Sequence, residues 1–200
     1  MEANRPVIIY ISAAADLMAE REALARMVAA LPVTLAWHIV QTPVTDADSL
    51  DLEALKIADL HFLVMAGDIR APVGLEWRIV SRAGRPSAAF LKRGVLRTPA
   101  GEVFIKDAGV TWQPFAEPVD LTRQVQRLLV EHLVRHALRY ILTPEELARL
   151  QALPVAEAPA EESARGKEAG HSAVILSRER FEPSGGVVVG KSEDKSTEAA

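Results

Sequence analysis

The chain has 200 residues, of which 49% are hydrophobic, 25% are charged and only 5% are aromatic, and its net charge is −4. This composition predicts one globular domain with an aliphatic core, and the weak acidity argues against a dedicated nucleic-acid binder, which is usually basic. Because the chain has no cysteine, disulfides, thiolate metal sites and cysteine nucleophiles are excluded.

No apolar run of the sequence approaches the length of a membrane span, so no membrane partner is expected. The N-terminus carries an acidic residue and runs directly into a strand-like segment, which is unlike a signal peptide. These features favour a cytoplasmic protein.

Strands and helices alternate along the first three quarters of the chain. Short apolar, β-branched runs predict strands at 6–12, 33–40, 61–66, 87–91 and 110–115. Helical spacing predicts helices at 16–31, with Asp16 as N-cap and 20–22 on the exposed face, and at 52–58, 75–82 and 120–140. A turn at 98–101 and alternation over 102–106 predict a hairpin arm, and a capping box at 143–146 predicts a short last helix.

This order of elements predicts an α/β fold, a flavodoxin-like three-layer sandwich around a mostly parallel sheet of about five strands. The predicted domain covers residues 1–152. Residues 153–200 are rich in Ala, Glu, Pro and Ser and lack a periodic apolar face over most of their length, so they are expected to form a mostly disordered tail.

Open parallel sheets bind ligands at the carboxyl ends of the strands, where the strand order reverses. In a flavodoxin-like order this point lies between the first and third strands. A loop predicted at 67–74 is longer than the connection requires. The candidate ligand-binding residues that follow these two strands are Ser12, Gly67, Asp68, Arg70 and Gly74.

Glu76 is the candidate catalytic residue. It is predicted in the first turn of the helix after the loop, where the helix dipole would keep it ionised. An ionised carboxylate in a cleft can attack an anomeric carbon or stabilise an oxocarbenium-like transition state, but acids in first turns more often only stabilise the dipole. Asp68 could bind a ribose hydroxyl or close an Asx turn, and Arg70 could contact a phosphate or only solvent.

Three further patterns are interpreted as having no function of their own. Residues 185–192 fit the phosphate-loop pattern, but too little chain follows for the helix and core strand that such a loop needs. His132 and His136 share a helix face without an evident third ligand, which predicts a surface pair and no metal site. The tryptophans are scattered and predict packing: Trp37, Trp77 and Trp112.

The segment 9–12 (IYIS), followed by DL at 16–17 and ER at 20–21, resembles the opening of uncharacterised N-terminal domains that precede NACHT or repeat modules in bacterial signalling proteins. GLE at 74–76 followed by GRP at 84–86 is similar to a glutamate–helix–Gly-Lys-Pro pattern of that family, which recurs in TIR-like domains and nucleoside 2-deoxyribosyltransferases. The resemblance covers about residues 5–140.

This resemblance implies a TIR-like fold and a homotypic or other protein partner. In the enzymatic relatives the helix-start glutamate cleaves or transfers an N-glycosidic bond of NAD or a nucleoside, and that role would fall on Glu76. The chain departs from the pattern at 13–15, where three alanines replace hydroxyl and aromatic residues.

The alanines favour a signalling or protein-interaction module, including a catalytically degenerate nucleotide-binding domain, and no cofactor is expected. The alternative is an N-glycosidase or deoxyribosyltransferase-like enzyme acting on NAD or a nucleoside. A Glu76 carboxylate in an open cleft beside Ser12 and Asp68 would favour the enzyme. A carboxylate that caps its own helix or pairs with Arg78 or Arg82 would favour the module.

Overall fold

Five parallel strands form the centre of the domain, in a computed structural model that describes residues 6–45 and 49–153. The strand order is β2-β1-β3-β4-β5, as predicted for a flavodoxin-like fold. The strands are β1 (Val7–Ala13), β2 (Trp37–Gln41), β3 (Leu60–Met65), β4 (Ser87–Lys92) and β5 (Trp112–Phe115).

The two central strands are the most apolar ones. Every residue of β1 and of β3 is buried, because both strands have a neighbour on each side and helices on each face. Their parallel register pairs Ile9 with Leu60 and Ile11 with Phe62. The strand order reverses between β1 and β3, so their carboxyl ends form the edge at which ligands of such folds usually bind.

Six helices connect and cover the strands. They are α1 (Met18–Ala29), α2 (Leu52–Ile57), α3 (Ala71–Ala83), α4 (Pro99–Asp107), α5 (Pro118–Arg135) and α6 (Pro144–Gln151). Odd-numbered residues of β1 pack with α1 and α5, and even-numbered ones pack with α2 and α3. Since side chains alternate across a strand, α1 and α5 lie on one face of the sheet, and α2 and α3 lie on the other.

The start of α3 differs from the prediction. The helix begins at Ala71 and includes Pro72, which is tolerated in the first turn because its missing N–H has no helical partner there. The predicted loop at 67–74 is therefore shorter, Gly74 lies inside the helix, and Glu76 lies beyond the first turn.

Two other predicted boundaries were wrong. Asp16 is not an N-cap, because it lies within a short 3-10 turn (Ala15–Leu17) that precedes α1. Residues 102–106 form part of α4 rather than a hairpin arm. Thr98 caps this helix by accepting a 3.0 Å hydrogen bond from the backbone N–H of Gly101, and Pro99 is its first residue.

The C-terminal part of the described chain follows the prediction more closely. Helix α5 ends at Arg135, earlier than expected, and α6 begins with the predicted capping box of Thr143 and Glu146. The predicted tail and the phosphate-loop pattern at 185–192 lie outside the described residues. No helix within residues 6–45 and 49–153 is long and apolar enough to cross a membrane.

Candidate functional site

Glu76 lies on the face of α3 that packs on the sheet, and its side chain is completely buried. Its Oε1 accepts a 2.7 Å hydrogen bond from the Tyr10 hydroxyl, and its Oε2 accepts a 2.6 Å hydrogen bond from the Thr42 hydroxyl. The predicted first-turn position was therefore wrong, and the carboxylate does not face the open cleft that would favour an enzyme. The carboxylate neither caps its helix nor pairs with Arg78 or Arg82, the contacts that would favour the module. Its donors are instead Tyr10 on β1 and Thr42 directly after β2.

A second pair of polar side chains lies beside Glu76. Tyr10 and Ser12 project from the same face of β1, since they are two residues apart. The Ser12 hydroxyl is 2.8 Å from Nε2 of His61 on β3, and the His61 ring stacks on Trp77 with ring centroids 6.2 Å apart. We call Tyr10, Ser12, Thr42, His61 and Glu76 the Glu76 cluster.

Arg21 closes the same edge of the sheet from α1. Its Nε donates to the side chain of Gln41 at 2.9 Å, its Nη1 donates to the carbonyl of Ala13 at 3.3 Å, and its Nη2 donates to the carbonyl of Thr42. The Thr42 hydroxyl also accepts a 3.1 Å hydrogen bond from the backbone N–H of Ala13. These polar groups at the ends of β1 and β2 therefore already form hydrogen bonds within the protein.

The electrostatics of the cluster are governed by burial. Burial raises the pKa of Glu76, and hydrogen bonds from Thr42, Ser12 and Tyr10 together with the charge of Arg21 act in the opposite direction. Burial lowers the pKa of His61 to about 3, so this imidazole is neutral at neutral pH. Burial and the neighbouring Glu76 also raise the pKa of Tyr10, which keeps its hydroxyl protonated.

The Ser12–His61 pair lacks the other parts of a hydrolase triad. Within the described chain no side chain or backbone group forms a hydrogen bond with the buried Nδ1 of His61, the position where a triad requires an orienting acid. Ser12 is also completely buried, so its hydroxyl is not available to a substrate. The pair is a packing element of the cluster in this conformation.

The remaining predicted ligand residues lie outside the Glu76 cluster. Asp68 Oδ1 accepts hydrogen bonds from the Thr98 hydroxyl and from the backbone N–H of Ile69. The carbonyl of Gly67 accepts a 2.9 Å hydrogen bond from the backbone N–H of Thr98. These contacts join the connection between β3 and α3 to the connection between β4 and α4. Of the predicted ligand residues, only Ser12 lies beside Glu76.

Arg70 and Gly74 instead line a groove on the outer surface between α3 and α4, with a volume of about 560 Å³. We call it the α3–α4 groove. Its apolar lining includes Ile69, Trp77 and Phe104, which are half-buried and pack against the core beneath α3. This groove is separate from the Glu76 cluster, although Trp77 contributes to both surroundings.

Several residues of the cluster were not identified from the sequence. The available signal for Tyr10 was a hydroxyl within an otherwise aliphatic strand, and the signal for Thr42 was its position directly after a strand. Arg21 and Glu20 were expected on the exposed face of α1, but both are buried. Glu20 forms a 2.7 Å ion pair with Lys92.

His132 lies in the last turn of α5 and His136 directly follows this helix. His132 is buried, contrary to the predicted surface pair, and its Nε2 is 2.8 Å from the Tyr140 hydroxyl. The described part of the chain contains no cluster of three or more His, Asp or Glu side chains that could hold a metal ion. The three tryptophans are partly buried against the core, as predicted.

Comparisons with known proteins add no functional assignment. No protein-family model matches the chain, and no curated protein shows significant similarity to it.

Proposed function

We propose that this domain is a TIR-like signalling module that acts by binding other proteins, and that Glu76 has a structural role in it. The supporting observation is the complete burial of Glu76, whose two oxygens accept hydrogen bonds from Tyr10 and Thr42. A carboxylate that attacks a substrate or donates a proton to it must come within hydrogen-bonding distance of it. In this conformation, helix α3 prevents that approach.

The first connection of the sheet supports the same proposal. The three residues at 13–15 are alanines, whose side chains cannot donate hydrogen bonds to a ribose or a phosphate. Arg21, the nearest cation to the ends of β1 and β2, already donates to Gln41 and to two backbone carbonyls. Few hydrogen-bond donors at this edge of the sheet therefore remain available to a nucleotide.

A second candidate function is cleavage or transfer of an N-glycosidic bond, with Glu76 as the key carboxyl. Its support is that Glu76 and Ser12 come together where the strand order reverses, the usual ligand position in such sheets. Burial raises the pKa of Glu76, which would suit a proton donor to a leaving base. This function requires α3 to move away from β1.

Turnover of NAD, NADP and nucleosides by the full chain at high protein concentration tests the proposal. We expect no product from the wild type or from Glu76→Gln. Turnover by the wild type that Glu76→Gln loses, and that the exposed-site control Glu53→Gln keeps, would contradict the proposal and support the second candidate. Equal turnover by all three proteins would show a reaction that does not involve Glu76.

A further inference from the structure

The α3–α4 groove combines an apolar strip with three arginine side chains. Ile69, Trp77 and Phe104 expose part of their surface along it. Arg70, Arg78 and Arg82 line its α3 side and are all exposed. Within the described residues none of these three arginines has a carboxylate within ion-pair distance, so their charges are available to a ligand.

The spacing of the arginines indicates the size of a suitable ligand. At a rise of about 1.5 Å per residue, Arg70 and Arg78 are about 12 Å apart along α3, and Arg78 and Arg82 about 6 Å. One phosphate group cannot contact charges distributed over about 18 Å. An extended peptide covers that length with about five or six residues, at about 3.3 Å per residue.

We propose that the α3–α4 groove binds an acidic peptide segment of a partner protein, an inference that rests on the proposed interaction function. Aromatic or aliphatic side chains of this segment pack on Trp77 and Phe104. Its carboxylates pair with Arg78 and Arg82, and a further one reaches Arg70. Charge complementarity selects an acidic partner, because three arginines and a single acid, Asp107, line the groove and leave its net charge positive.

A second copy of this domain is a poorer occupant. An exposed aliphatic segment that a second copy could insert follows α5, where Leu138 is 96% exposed and Ile141 is 75% exposed. Residues 137–142 contain no Asp or Glu, so this segment offers no carboxylate to the arginines of the groove. The charge pattern therefore favours a different, acidic partner over insertion of this segment.

Selection from a display library of random peptides about eight residues long, with the full chain as bait, tests the inference. We expect the selected peptides to combine several acidic residues with an aromatic or aliphatic one. Labelled copies of these peptides should bind Arg78→Glu/Arg82→Glu at least about tenfold more weakly than the wild type, because both ion pairs become repulsive.

The matched control is Arg123→Glu/Arg127→Glu, which makes the same charge change at the same spacing on α5, across the sheet from α3. This variant should bind like the wild type. Equal loss in both variants, selection of neutral or basic peptides, or selection of none would overturn the inference. Acidic peptides that bind the Arg78→Glu/Arg82→Glu variant normally would also overturn it, yet would leave the proposed interaction function standing. Failure of that function would instead appear as Glu76-dependent turnover.

Discussion

The hydroxyl of Tyr10 donates a 2.7 Å hydrogen bond to the carboxylate of Glu76 and so connects the middle of α3 to β1. Both side chains are completely buried, and 66 positions separate them in sequence. A buried carboxylate and a buried phenol hydroxyl each need a hydrogen-bond partner. Glu76 and Tyr10 provide this partner for each other. The contact explains why an ionisable residue can occupy this position without facing water.

A double-mutant cycle should detect this bond. Tyr10→Phe leaves one oxygen of Glu76 without its donor, so we expect a loss of about 1–3 kcal/mol in the free energy of unfolding. In a cycle with Glu76→Gln, measured by urea denaturation, the two effects should be non-additive by about 0.5–3 kcal/mol. Additive effects would show that the two side chains do not interact.

His61 should make the domain less stable in acid. Its pKa is about 3 in the folded protein against an ordinary 6.5, so between these values the unfolded chain binds a proton that the folded chain does not. Its contribution is fully present above pH 6.5 and is lost as the pH falls towards 3, by up to about 1.4 kcal/mol per pH unit.

The variant His61→Phe keeps a ring against Trp77 and removes the titrating group. The unfolding free energy of the wild type relative to this variant should therefore fall between pH 6.5 and pH 4, as measured by urea denaturation at each pH. Glu76 acts in the opposite sense, because its raised pKa favours the folded state at low pH, but it is present in both proteins. A constant difference across this range would exclude a neutral, buried His61.

Two glycines predicted as ligand residues should respond in opposite ways to substitution by alanine. A Cβ at Gly67 would lie 2.8 Å from the carbonyl oxygen of Leu96, so Gly67→Ala should destabilise the fold by about 1–3 kcal/mol. A Cβ at Gly74 would make an ordinary 3.6 Å contact with Ile69 inside α3. Gly74→Ala should stabilise by about 0.5–1 kcal/mol, and thermal unfolding showing the reverse order would contradict these contacts.

Glu146 anchors α6 to the connection between α1 and β2. Its Oε1 accepts hydrogen bonds of 2.7 Å from both the backbone N–H and the hydroxyl of Thr34, and its Oε2 accepts one from the backbone N–H of Thr143. These bonds lower the pKa of Glu146 to about 2. Glu146→Gln should lower the free energy of unfolding by about 1–3 kcal/mol at neutral pH.

The sign of the pH effect follows from that lowered pKa. The stabilisation from Glu146 is present above its ordinary value of 4.5 and is lost as the pH falls towards 2, so the difference between the wild type and Glu146→Gln should shrink there. The exposed neighbour provides the control, since Glu145→Gln should change stability by no more than about 0.5 kcal/mol. Equal effects of the two substitutions would contradict the anchoring role.

The strands and their order were predictable because continuous β-branched runs alternate with helical spacing, and that pattern allows few arrangements. The first residues of the helices were harder to predict. Pro72 and Gly74 favoured a loop, although proline is also common in a first helical turn, and Thr98-Pro99 fits both a turn and a capped helix. Local sequence does not distinguish these cases.

The environment of Glu76 was beyond local prediction for a different reason. Its partners come from β1 and from the end of β2, and only the packed sheet brings them to α3. The start of α3 decides the environment of Glu76. The helix begins four residues earlier than predicted, so Glu76 lies past the first turn, on the face of α3 that packs on the sheet. That start is set by tertiary contacts as well as by sequence.

The most direct measurement of the structural role of Glu76 is an NMR titration of its side-chain carboxyl carbon, assigned with Glu76→Gln, in the presence and absence of NAD and nucleosides. The closed site predicts a pKa above the ordinary 4.5 and no change of the resonance with any of these ligands. A pKa at or below the ordinary value would show that burial does not dominate the site, and a ligand-dependent shift of that resonance would show that substrate reaches the carboxyl. Either result would contradict the account.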